Sequence, residues 1–453
     1  MIHKFSQNGI NIAVDVYSGA VHVLDETAYE ALNYFESLDR DSIIEKLSDK
    51  HSKDAVIEAL DELEYLKQQG LLFSENPYQG WQKAEGEKAV VKALCLHAAH
   101  DCNLRCEYCF ASTGDFGHSR GLMPLETAKK AIDFLLANSG DRKNLEVDFF
   151  GGEPLMNFDV VKETVKYGRK REAELCKNIR FTLTTNGMLL NDEIMDFANR
   201  NMSNLVLSID GRQEVNDRVR YRVDGTGTYK HILPLIKAAA DSRNQENYYV
   251  RGTFTRHNLD FAEDVLHLAD LGFKQVSVEP VVASADKDYA IRNDDVEAIC
   301  REYERLADEF IRRHKEGNGF NFFHFQLELD NGPCVSKRLK GCGAGDEYLA
   351  ITPEGEIYPC HQFVGNEKFL IGNVDDGILK EEVRGIFKGS NIFTKEKCKE
   401  CWCKFYCSGG CAANAWMYNQ DINIPYEFGC ELQKKRVECA LVVKAALLQL
   451  NSL

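Results

Sequence analysis

Three cysteines within eight residues, Cys102, Cys106 and Cys109, stand in a C-x3-C-x2-C array. Such a loop can wrap three corners of an iron–sulfur cubane and leave the fourth iron without a protein ligand. These clusters normally take four cysteines, so three in one loop imply an open iron for a small molecule. A zinc loop is the competing reading, but zinc spacings usually pair two C-x2-4-C knuckles with a defined mate. A second field lies downstream: Cys342-x12-Gly355-x4-Cys360, then Cys398-x2-Cys401-x5-Cys407-x3-Cys411, then Cys430. Pro353-Glu354-Gly355-Glu356 reads as a hairpin turn that brings Cys360 back beside Cys342. Nine of the sixteen cysteines fall between Cys334 and Cys430. Thiols used only as core filler would be scattered, so metal ligation is expected rather than disulfides. Cys95, Cys176, Cys300 and Cys439 occupy apolar or helical positions and read as core residues; Cys403 reads as a bystander.

The elements that must position these residues follow from the hydrophobic period. Strands are expected at 91–96, 145–150, 180–185, 204–209, 248–254 and 275–279, with helices between them at 125–137, 159–176, 193–199 and 261–271. Six strands spaced by helices give an α/β parallel sheet or partial barrel, in which ligands gather at the carboxyl ends of the strands. Gly151-Gly152-Glu153-Pro154 follows one such strand, and its two glycines allow a close backbone approach to a ligand. Thr184-Thr185-Asn186-Gly187 and Ser208-Ile209-Asp210-Gly211 end the next two, and both are also turn formers.

Residues 1–74 read as a separate module: a hairpin over 10–23, helices over 27–35 and 54–68 with a piece at 43–47 between, and one more strand at 70–73. Residues 75–90 read as a linker and 91–318 as the α/β region. The stretch 319–453 dissolves into short hairpins and dense cysteines. At 453 residues two or three domains are expected. A net charge of -16 argues against nucleic acid or an anionic membrane as partner. No signal or membrane-spanning run is visible, so a cytoplasmic protein is expected.

Together these motifs resemble the radical SAM superfamily, whose cysteine motif carries an aromatic before its last cysteine, here Tyr108. The resemblance implies that a [4Fe–4S] cluster on Cys102, Cys106 and Cys109 opens S-adenosylmethionine (SAM) to a 5′-deoxyadenosyl radical. It further implies a SAM pocket of Gly151, Gly152, Glu153, Asn186, Ser208 and Arg220, with Glu153 accepting from the amino group of SAM. The carboxyl-terminal spacings resemble the SPASM domain. The likeness assigns Cys342, Cys360 and Cys411 to a first auxiliary cluster and Cys398, Cys401, Cys407 and Cys430 to a second. That makes three [4Fe–4S] clusters, the first auxiliary one completed by Cys334 or by a substrate thiolate.

SPASM enzymes act mostly on peptides or proteins. The amino-terminal module, winged-helix-like, resembles an element that captures the leader of a precursor peptide by strand addition. The whole chain resembles the thioether-forming maturases (sactipeptide and ranthipeptide type) of SCIFF peptides. The implied reaction joins a cysteine sulfur to a carbon of an acceptor residue, with an external electron donor. A sulfatase-maturase-like oxidation of cysteine or serine to formylglycine, or another SPASM peptide modification, is the alternative. His361 after Cys360, where sulfatase maturases often carry Asp, and the amino-terminal module speak against formylglycine formation. A plain electron carrier has no use for an open-iron motif followed by a SAM pocket.

Overall fold

A computed structural model of the chain describes residues 1–78, 90–329 and 335–451. Cys334 and residues 79–89 of the expected linker lie outside the described residues. The chain begins with a three-stranded antiparallel sheet in the order β1 (Ile2–Gln7), β2 (Ile10–Asp15), β3 (Val21–Leu24). Three helices follow, α1 (Glu26–Ala31), α2 (Arg40–Leu47) and α3 (Lys53–Gln68). β1 adds a strand to the expected hairpin; its first four residues are half-buried, and its sequence lacks a clean apolar alternation. The strand expected at 70–73 does not form. That segment bends, and the Leu71 carbonyl accepts from His22 Nε2 at 2.9 Å.

Alternation along β2 serves two cores. Ala13 packs with Leu24, Val56, Leu60 and Leu63 inside the module, while Ile12 and Val14 point the other way into the main core. Deleting residues 1–74 would therefore strip apolar cover from the rest of the protein, so the module is not a detachable cap.

The central sheet is built from parallel strands β4 (Ala93–His100), β6 (Asn144–Gly151), β7 (Asn178–Thr185), β8 (Asn204–Ser208), β9 (Tyr248–Phe254) and β10 (Gln275–Pro280), adjacent in chain order; β5 (Gly121–Leu122) pairs antiparallel with β4. Helices α4 (Leu125–Asn138), α5 (Phe158–Glu174), α6 (Asp192–Asn201), α7 (Gln213–Val219), α8 (Tyr229–Ser242), α9 (Phe261–Asp270) and α10 (Val296–Lys315) intervene. This is the partial barrel expected from the period, with its six strands close to the expected places. A short seventh parallel strand, β11 (Asn321–Phe322), extends one side. Period two divides β6: Leu145, Val147 and Phe149 are buried in the core, while Glu146, Asp148 and Phe150 line the barrel interior. The interior is polar and hollow, with a lower cavity of about 830 Å³.

After helix α11 (Val335–Lys340), strand β12 (Tyr348–Ile351) pairs parallel with β4, so the cysteine-rich region is joined to the sheet of the barrel. It turns through Pro353-Glu354-Gly355, with Gly355 at φ +83°, into β13 (Glu356–Tyr358). Two more short strands, β14 (Gly372–Asn373) and β15 (Gly377–Ile378), end the sheet. Helices α12 (Glu381–Gly389), α13 (Glu396–Lys399), α14 (Lys404–Cys407), α15 (Ala412–Asn419) and α16 (Glu427–Asn451) complete the fold. The expectation of hairpins alone after residue 319 is thus corrected: α16 runs 25 residues and packs on α10 and on β1 and β2. It ties the ends of the chain together through His3 Nε2 with Glu438 at 3.0 Å and Gln7 Nε2 with Cys439 Sγ at 3.6 Å. Among the described residues no helix is long and apolar enough to cross a membrane.

Candidate active site

The cysteine triplet sits on the loop leaving the carboxyl end of β4. Cys102 N donates to Asp101 Oδ1 at 2.8 Å, and Arg105 N and Glu107 N donate to the carbonyls of Tyr221 and Val219, each at 2.8 Å. The loop is therefore laid against the segment that carries Arg220. Glycines make the fit possible. A β-carbon on Gly114 (φ +93°) would stand 2.6 Å from Cys102 Cβ, and one on Gly152 would stand 2.1 Å from the Asp101 carbonyl. Gly151 and Gly152 thus let two backbones meet, and both also line the cavity described next.

Cys102, Cys106 and Cys109 line a cavity of about 350 Å³ at the carboxyl ends of the strands, together with Gly151, Gly152, Asn186, Ser208, Asp210 and Arg220. Asn186 Nδ2 reaches Asn103 Oδ1 at 2.8 Å and Cys102 Sγ at 3.6 Å. Tyr108 OH donates to Asp210 Oδ2 at 2.6 Å and accepts from Arg220 Nη1 at 3.0 Å, which joins the loop after β4, the turn after β8 and the end of α7 in one network. Arg220 is only 6% exposed and its Nε has no partner, so a buried donor is left over at the cavity wall.

The structure places Glu153 behind the cavity wall, next to Asn186. Its carboxyl is wholly buried and accepts from Leu155 N at 3.0 Å, Thr185 Oγ1 at 2.8 Å and Asn186 N at 2.8 Å; it does not line the cavity. Burial pushes its pKa up to about 7 against the pull of these donors. Glu153 therefore positions Asn186. Glu153→Ala leaves three buried donors unsatisfied and should destabilise the fold by about 3 kcal/mol or more. The checks are a lowered unfolding midpoint and weaker SAM binding.

Burial also pushes the thiols up, Cys102 to about 12 and Cys106 to about 11, with Arg220 opposing the rise at Cys106. Thiolates there need a positive partner, which an iron–sulfur cluster supplies when bound. Three thiols, a leftover guanidinium donor and a polar pocket fit an anionic cluster with a small zwitterionic ligand.

Seven of the other cysteines fall in two sets. Burial raises Cys360, with Cys411 and Cys342 close enough to add to the rise. Burial likewise raises Cys430 to about 12, with Cys407, Cys398 and Cys401 adding to it. Cys403 is buried beside Cys407 and Cys401, and Cys95 and Cys439 are buried. Cys176 departs from its expected core position: it is exposed at φ +54°, in the turn after α5.

The sequence profile of the radical SAM superfamily matches residues 98–269, and that of the SPASM iron–sulfur cluster-binding domain matches 342–402. The chain belongs to the radical SAM proteins with a SPASM domain. Such domains bind [4Fe–4S] clusters and SAM. Its relatives include the radical SAM cyclopropyl synthase TigE of Paramaledivibacter caminithermalis, 23% identical over 90% of this chain and 87% of that protein. A cysteine-type anaerobic sulfatase-maturating enzyme of Clostridium novyi is 25% identical over 71% of this chain and 87% of its own. The fold is shared with Streptococcus suis SuiB bound to its precursor peptide SuiA, at TM-score 0.53 and 17% identity over 93% of this chain and 97% of that one.

In this radical SAM–SPASM chain the far wall of the cavity holds residues that sequence reasoning missed. Arg251 Nη2 donates to Glu279 Oε1 at 3.1 Å, and both line the cavity with His361, Gln362, Cys411 and Asn414. Burial works to raise Glu279, but Arg251, with His324 and Arg436, holds it down to about 2. The signal was available: Thr182, Thr184, Ser208, Arg251, Thr253 and Glu279 are polar residues on strands β7 to β10, all facing inward.

Proposed function

We propose that this chain is a peptide maturase that joins a cysteine sulfur to a carbon of an acceptor residue in a ribosomally made, cysteine-rich precursor peptide. One observation carries the reading: among the described residues, Cys411 is the only cysteine outside the triplet that lines the triplet's cavity. In the roles proposed, Cys102, Cys106 and Cys109 hold the SAM-binding cluster. Cys342, Cys360 and Cys411 hold an auxiliary cluster with one corner left for Cys334 or a substrate thiolate. Cys398, Cys401, Cys407 and Cys430 hold the third. When bound, cluster and SAM supply a 5′-deoxyadenosyl radical that takes hydrogen from an unactivated carbon.

The chain's own residues do the rest. Asn186, Ser208 and Arg220 bind and orient SAM, and Tyr108 with Asp210 fixes the Arg220 guanidinium. Phe110 and Phe150 form an apolar part of the wall, and Arg251 and Glu279 offer a donor and an acceptor to a peptide backbone. The domain scheme proposed is residues 1–74 for leader recognition, 91–318 for the radical SAM barrel and 319–453 for SPASM. The outer edge of β3 is open, with Val23 exposed, which suits strand addition by a leader. SuiB, whose fold covers nearly the whole chain, is described with a precursor peptide. The sulfatase-maturating relative covers 71% of it, and the amino-terminal module favours the peptide-maturase reading over formylglycine formation.

The test is mass spectrometry of a cysteine-rich precursor after anaerobic incubation with enzyme, SAM and a reductant. Each bridge removes two hydrogens, so a loss of about two mass units accompanies the loss of one alkylatable thiol. The same peptide without its leader should stay largely unmodified. SAM cleavage with thiols fully alkylatable would reject thioether formation and favour the formylglycine alternative or another substrate.

A further inference from the structure

Two lysines are buried in the SPASM region, and Lys395 is the more telling. It is 4% exposed, and its ammonium donates to the Gly409 carbonyl at 2.8 Å. No carboxylate lies within ion-pair distance among the described residues. Asp346, which lines the same small cavity, pairs with Lys340 at 2.9 Å. A buried ammonium held by one carbonyl is strongly unfavourable unless negative charge lies nearby.

Cysteines surround it, and their thiolates would carry that charge once they hold a cluster. Gly409 lies between Cys407 and Cys411, one from each carboxyl-terminal group. The Lys395 carbonyl accepts from Cys398 N at 2.9 Å, and Cys342 shares the small cavity. Burial pulls the pKa of Lys395 down, and Cys398, Cys407, Cys411 and Cys430 oppose the pull. The ammonium thus stands at the junction of the two groups. Lys404, also buried, stands near Cys398 of one group only; its Nζ donates to the Lys399 carbonyl at 2.6 Å and sits 4.8 Å from the centre of the Tyr17 ring.

We propose that Lys395 is a positioning residue whose ammonium is the shared counter-charge of both carboxyl-terminal cysteine groups and raises the reduction potential of the clusters they hold. This rests on the reading that those seven cysteines hold iron–sulfur clusters. A fixed positive charge favours the more negative, reduced state, and the sparse dielectric of a buried site strengthens the effect.

The experiment compares Lys395→Met and Lys395→Arg with the wild-type full chain, all reconstituted with iron and sulfide. Iron per chain and an EPR-monitored redox titration are the readouts. Lys395→Met should lower the equilibrium constant for reducing an auxiliary cluster by about tenfold, a negative shift of about 59 mV for one electron. Lys395→Arg should stay near wild type. Loss of iron in Lys395→Met but not in Lys395→Arg also supports the counter-charge. Unchanged potentials in an iron-replete Lys395→Met overturn it, as do equal shifts or equal iron loss in both variants. Wild-type protein with iron at the triplet alone would instead reject the cluster assignment on which the proposal rests.

Discussion

Replacing Cys102, Cys106 and Cys109 together by alanine should abolish reductive SAM cleavage, down to an enzyme-free control, while iron falls by only about one third. The three thiols leave one loop and line one cavity, and the carboxyl-terminal groups lie on other elements, so their iron should remain. The loop itself should survive. Its shape is set mainly by backbone donation from Arg105 and Glu107 to Tyr221 and Val219 and by Gly114, while of the thiols Cys102 Sγ accepts from Leu104 N at 3.4 Å and Asn186 Nδ2 at 3.6 Å. The readouts are 5′-deoxyadenosine by chromatography and iron per chain; undiminished cleavage would remove the triplet from the reaction.

Cys411→Ser should separate the two halves of the chemistry. SAM cleavage should stay within about twofold of wild type, because the triplet, Asn186 and Arg220 are untouched. Cross-linked peptide should fall by at least the 10–100-fold typical when a metal's surroundings are altered. The expectation follows from position: Cys411 opens the α15 segment and faces the cavity that the triplet also lines. Mass spectrometry of the peptide with parallel measurement of 5′-deoxyadenosine separates the arms. Equal loss of both would place Cys411 in SAM cleavage or in folding, and normal cross-linking would remove the carboxyl-terminal group it belongs to from sulfur transfer.

Much of this architecture was legible before any coordinates. The alternation between apolar strands and amphipathic helices gave six parallel strands because a buried parallel strand and a helix face each impose a period on the chain. The cysteine spacings are local, so the triplet and the C-x2-C-x5-C-x3-C run pointed to metal chemistry without reference to the fold. Elements with weaker local signals were lost. β1 is half-buried, and α16 has apolar residues around much of its circumference because it lies between α10 and the amino-terminal sheet.

The sequence by itself determined which residues are capable of chemistry and which strand ends carry them, since ligand type and spacing are properties of the chain. Only the tertiary structure decided what those residues face. It turned Glu153 inward onto Leu155, Thr185 and Asn186. It brought Cys411 into the triplet's cavity across about three hundred residues of chain and set Arg251 against Glu279 on adjacent strands. It also made the amino-terminal sheet part of the main core through Ile12 and Val14. Such contacts depend on packing between distant elements, which local periodicity does not encode.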